Sequence, residues 1–148
     1  MTQASQEVTQ AKVKTLLVDL QQDVADYQRL EGMLLQQRTL LIQHDSEGLQ
    51  NLHLEQMPLL DTLAKRAAAR HRLLSDLGFT PDDKGMEKLL GKLPAPLAEK
   101  ASGLWQKLHT LLQHCQTNND WNGRLLAGQM ELIRSLLELP DGYPEIGV

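Results

Sequence analysis

The sequence predicts an all-α protein: an elongated antiparallel bundle of three long helices, with a short connector helix and a mobile C-terminal tail. Three observations lead there. Leucine dominates a hydrophobic share of 41%, whereas aromatic residues make up only 3%, so few side chains suit a pleated, half-buried surface. Apolar residues recur at alternating steps of three and four, the period of a helix packed along one stripe. Glycine and proline cluster between Gly78 and Pro96 and again after Leu139, which leaves long stretches free for helices. At 148 residues the chain has room for one domain with a sizeable core, so residues 1–148 are read as a single helical domain.

The first helix is expected over residues 7–44. Val13, Leu17, Leu20, Val24, Tyr27, Leu34 and Leu41 mark its buried stripe. Asp45 or Ser46 then supplies an N-cap, with Glu47 at the positive end of the next helix. So short a loop makes the first two helices antiparallel neighbours. The second is expected over residues 47–77, with Leu49, Leu52, Leu59, Leu63, Ala67, Leu74 and Leu77 inward. Pro58 lies inside it and removes a backbone donor, which predicts a kink between Leu54 and Pro58. Gly78 is placed to end it in a left-handed turn.

Pro81, Gly85, Gly91, Pro94 and Pro96 then mark a connector, with a short helix over residues 83–90. Asp82 or Asp83 would cap it, and Met86, Leu89 and Leu90 would pin it to the bundle. The last long helix is expected over residues 96–139, starting at a proline suited to a first turn. It is either continuous or broken between Asn118 and Gly123, because Gly123 and Gly128 each cost about 1 kcal/mol in a helix interior. The tail, residues 140–148, has too little apolar content to order itself.

A net charge of −4 argues against a nucleic-acid binder, which more often carries a basic excess. The densest basic stretch, Lys65, Arg66, Arg70, His71 and Arg72, spreads around a helix and reads as a solvated face. Cys115 is alone and sits on an apolar seam, which suits an inert buried thiol. The polar start shows no secretory signal, and no apolar run approaches the ~20 residues of a membrane span. The expected location is the cytoplasm.

Nothing in the chain points to catalysis. No glutamate is followed three residues later by a histidine, and His109 and His114 turn away from a shared ligand face. Glycine-rich phosphate loops, nucleophile elbows and paired cysteines are absent. The expectation is a non-enzyme without metal or cofactor.

The last helix carries the unusual features. Leu97, Ala101, Leu104, Leu108, Leu111 and Cys115 form a seam that Leu125, Leu132, Leu136 and Leu139 resume. Between and among them the register lands on Asn118, Asn122 and Gln129, and polar seam residues more often encode specificity than stability. Leu126, Met130, Ile133 and Leu137 form a second stripe beside the first. Together the stripes span roughly 180°, wider than the ~100° of an ordinary surface helix. Arg124, Glu131, Arg134 and Glu138 fill the opposite side.

Two readings follow. The helix contacts both other long helices at once, or its second stripe is a groove edge for a partner's amphipathic helix. The flexible thioether of Met130 and the bare backbone of Gly128 suit the second reading. It predicts that Leu126 and Met130 are exposed in the isolated protein while Leu132 is buried. A structural coiled-coil adaptor, self-associating through this wide apolar face, is the alternative.

The segment Asn119-x-x-Asn122-Gly123-x-Leu125-Leu126-x-Gly128-Gln129-Met130-Glu131 resembles the signature of the FlgN family of flagellar type III export chaperones. The resemblance implies a cytosolic, non-enzymatic chaperone. Its clients would be the helical C-terminal regions of the hook–filament junction (hook-associated) proteins, kept from premature assembly and delivered to the export gate. By the same resemblance Asn119, Asn122, Gly123, Leu126, Gln129 and Met130 become client-binding candidates, joined by Ile133 and Leu137 from the second stripe. The family tail also carries a tyrosine followed by a glycine-containing turn that docks at the export gate. Tyr143-Pro144-Glu145-Ile146-Gly147 resembles it, with proline where the family has glycine, and makes Tyr143 the docking candidate.

Overall fold

A computed structural model of the chain describes residues 3–137. Four helices follow in order: α1 (Gln3–Ile42), α2 (Ser46–Asp76), α3 (Asp83–Gly91) and α4 (Ala95–Leu136). No strand occurs among the described residues, and the long helices with their short connector make the expected all-α bundle. The expected tail with Tyr143, and Leu139 at the expected end of the last helix, lie outside the described residues.

The turns show why the helices stop where they do. α1 ends two residues before the expected boundary, because His44 adopts a left-handed φ of 55°. The amides of His44 and Asp45 then donate back to the carbonyls of Leu41 and Leu40, at 3.2 and 3.0 Å, which closes the helix end. Asp45 caps α2 by accepting from the Gly48 amide at 2.9 Å. A Cβ on Gly48 would stand 2.6 Å from the Asp45 carboxylate and 2.8 Å from a Leu40 methyl, so a larger residue there would have to displace those two side-chain ends.

α2 continues through Pro58 and ends on Gly78, whose φ is 84°. The amides of Gly78 and Phe79 return to the carbonyls of Ser75 and Leu74, so the glycine terminator read from the sequence is in place. Asp82 caps α3 through the Gly85 amide at 2.8 Å, and the Thr80 hydroxyl donates to Asp82. Met86, Leu89 and Leu90 pin α3 to the bundle as expected. α4 runs unbroken through Asn118 to Gly123, which closes the question of a break.

The core lies in two clusters along the bundle. One joins Leu16, Leu20 and Val24 to Leu74, to the apolar face of α3, and to Ala101, Leu108 and Leu111. The other joins Leu30, Met33 and Leu34 to Leu52, Leu59 and Leu63, and takes only Cys115 from α4. The helix seated between two long neighbours is therefore α1, not the last helix. Among the described residues no Cα of α2 comes within 8 Å of one of α4.

Two expectations are corrected here. Leu132 and Leu136 are not core residues: they are 59% and 72% exposed. The reason is length, since α4 extends past the end of α1 and finds no helix to pack on among the described residues. Arg66 and Arg70 do not belong to a solvated face either. Both reach α1, where Asp23 is fully buried: Arg66 donates to Asp23 at 2.7 Å and to Asp26 at 2.9 Å, and Arg70 donates to Asp23. Charge-assisted bonds satisfy both Asp23 oxygens, as burial of a carboxylate demands. Of the basic stretch, these two arginines thus meet an acidic surface inside the molecule.

Candidate functional site

The client-binding candidates run from Asn119 along α4 to Leu137 at its C-cap, so the way α1 holds that helix decides what is left free. α1 and α4 run parallel in a fixed register. The Cys115 thiol approaches the Tyr27 carbonyl at 3.6 Å, Asn122 donates to the Leu34 carbonyl at 2.7 Å, and Gln129 donates to the Leu41 carbonyl at 2.7 Å, each pair 88 residues apart. The donors recur every seven residues, the period at which a supercoiled helix returns to the same face. Past Leu111, α4 is thus joined to α1 by a ladder of polar donors on backbone carbonyls rather than by leucines.

Arg38 completes this seam. Its guanidinium donates to the side-chain oxygen of Asn118 at 2.9 Å and of Asn122 at 3.4 Å. With Leu34 on one side and Arg38 on the other, both ends of the Asn122 amide are engaged, at 2% exposure. Burial pushes the Cys115 thiol up to about 11, with the charge of Glu31 adding to it, so the thiol stays protonated and unreactive near neutrality. Burial also raises Tyr27, helped by the charge of Asp23.

The register fixes where support ends. Gln129 lies level with Leu41, and α1 stops at Ile42, whereas α4 continues to Leu136. Leu126, Met130, Ile133 and Leu137 are all exposed, as are Leu132 and Leu136 on the neighbouring stripe. Leu126 and Met130, expected to be exposed, are 49% and 40% open.

On the α2 side the same stripe borders a groove. Because α2 and α4 stay apart, a cleft of about 610 Å³ opens between Gln56 and Leu60 of α2 and Leu112, Gln116 and Asn119 of α4, with Leu30, Leu34 and Gln37 of α1 as its floor. Leu112, Asn119, Leu126 and Ile133 follow at steps of seven, so the groove wall and the outer stripe share one face of α4.

The structure thus divides the sequence candidates. Asn119, Leu126, Met130, Ile133 and Leu137 lie on the open face. Gly123 is exposed beside them, and a Cβ there would meet nothing within 4 Å. Asn122 and Gln129 point into the α1 seam and spend their amides there. The α2 wall was not read from the sequence. Its signal is the leucine doublet: in Leu59-Leu60 and Leu111-Leu112 the first leucine is buried and the second stands at the groove.

A family model described as FlgN protein matches residues 12–145. The chain belongs to the FlgN family. Membership carries the family's general role, that of a flagellar export chaperone that binds flagellar proteins. No curated protein and no solved structure matches the chain. Among the described residues no helix is long and apolar enough to cross a membrane.

Proposed function

We propose that this FlgN-family protein binds the helical C-terminal segments of hook–filament junction proteins along the open face of α4. It holds them from premature assembly in the cytoplasm and delivers them to the export gate, without enzymatic chemistry. The observation that carries this reading is the uncovered row Leu112, Leu126, Met130, Ile133 and Leu137, flanked by the cleft that α2 leaves open. An amphipathic helix laid there would bury its apolar side against leucines and a methionine. Asn119 and Gly123 stand on the same face: one offers an amide, the other a place for close backbone approach. Asn122 and Gln129 contribute by holding the face in register, and Tyr143 is the proposed docking residue for the gate.

Titration with a junction-protein C-terminal peptide tests the reading. Leu126→Ala combined with Met130→Ala should weaken binding at least about tenfold, ~1.4 kcal/mol, with urea stability unchanged. Unchanged affinity would remove the face from the proposal. A stable homodimer in solution whose interface is this face would favour the self-associating adaptor instead.

A further inference from the structure

α4 has a second uncovered surface on its other flank. Trp121 follows Asn119 by two residues, about 200° around the helix, and so faces away from the α2 groove. It is 57% exposed and stands over a cleft of about 380 Å³ formed with Arg38, Ile42, Arg124 and Leu125. Three of these five side chains are apolar, and the other two are cations.

The cations lack carboxylate partners. Arg38 lies 5.9 Å from the Trp121 ring and is oriented by Asn118 and Asn122, both neutral amides. A guanidinium carries five N–H donors, so those two bonds leave capacity unspent. Arg124 is exposed and forms no ion pair or hydrogen bond among the described residues, although Asp120 lies four residues before it. One heptad before Arg38, Glu31 is engaged by His114 at 2.9 Å. In a chain of net charge −4, two arginines without a carboxylate partner among the described residues, beside an exposed tryptophan, form a locally cationic spot on an acidic molecule.

We propose that this cleft is a docking site for an acidic, apolar helical segment of a partner protein, separate from the α2–α4 groove. A carboxylate of the partner sits between Arg38 and Arg124, and an apolar side chain one turn away covers Trp121 and Ile42. Arginine matches a carboxylate in paired geometry, and tryptophan with arginine is the usual makeup of an interface anchor. The overall negative charge disfavours a long polyanion such as nucleic acid, whose phosphates the rest of the surface would repel.

The probe is a synthetic helical peptide with glutamate and leucine at helical spacing, compared with the same peptide bearing lysine for every glutamate. Trp121 fluorescence is read in a Trp105→Phe background, and titration calorimetry on the unsubstituted chain provides the check. The acidic peptide should shift the emission saturably, and Arg124→Glu, an exposed change that leaves the seam intact, should weaken binding about tenfold. Leu126→Ala with Met130→Ala should leave this binding unchanged, which separates it from the groove. Equal binding of the lysine peptide, equal binding of a single-stranded oligonucleotide, or indifference to Arg124→Glu would each overturn the proposal.

Discussion

The side-chain amide of Gln129 donates to the carbonyl of Leu41 at 2.7 Å, one residue before α1 ends. That bond is the last rung between the two helices. Every large apolar side chain on α4 beyond it is exposed, and the exposed leucines there follow from a difference in helix length rather than from loose packing.

Alanine substitutions should separate the two parts of α4. Leu132→Ala and Leu136→Ala should each change unfolding free energy by less than about 0.5 kcal/mol. Leu108→Ala, at a fully buried position, should cost about 2–5 kcal/mol. Urea denaturation of the three variants measures this, and a loss at Leu132 equal to that at Leu108 would mean another chain covers it in solution.

Asn122 should be structural where Asn119 is not. Asn122→Ala withdraws a partner from Arg38 and a donor from the Leu34 carbonyl, and should cost about 1–3 kcal/mol. Asn119→Ala, exposed on the same helix, should stay within about 0.5 kcal/mol. Comparable stability losses in the same denaturation series would contradict the seam assignment.

Asp23 should be the most damaging single polar position. Asp23→Ala leaves Arg70 partly buried without its carboxylate and Arg66 with Asp26 alone, at a cost of about 3–5 kcal/mol. Replacing all three together, Asp23→Leu with Arg66→Met and Arg70→Leu, should recover most of that loss. Thermal melts of the single and triple variants decide it, since a network needed for stability itself would not be rescued.

Alkaline pH should loosen the seam through Cys115. The folded thiol titrates at about 11, above its unfolded value, so the folded state binds the proton more tightly. This contribution is fully present below the unfolded value of about 9 and is lost as pH rises toward the folded value. Stability of the native chain minus that of Cys115→Ala, measured across this range, should fall with pH. A flat difference would show that the thiol is open to water.

Most of the fold was legible because its signals are local. Asp45, Gly78 and Asp82 act at the ends where the sequence placed them, and the three-and-four leucine spacing gave the long helices. What was hidden depends on pairs distant in sequence. Arg66 and Arg70 look solvated until α1 is seen to present Asp23, although they continue the heptads of Leu59 and Leu63. Leu132 continues the seam flawlessly, yet burial needs a partner as well as a period, and the stripe cannot tell that α1 has already ended. At the candidate site, the apolar excess of α4 was readable, whereas the division of its amides between seam and open face required the register.

The parallel course of α1 and α4 also has a consequence for biosynthesis. Their rungs join residues 88 positions apart, so α1 emerges from the ribosome long before the helix that covers its second flank. In the interim α2 can shield only one side, leaving Leu16 and Leu20 waiting for Leu108 and its neighbours. Long-range closure of this kind is slow and exposes apolar surface while it lasts. A protein that guards the helices of others must therefore first survive an interval in which its own central helix is incompletely covered.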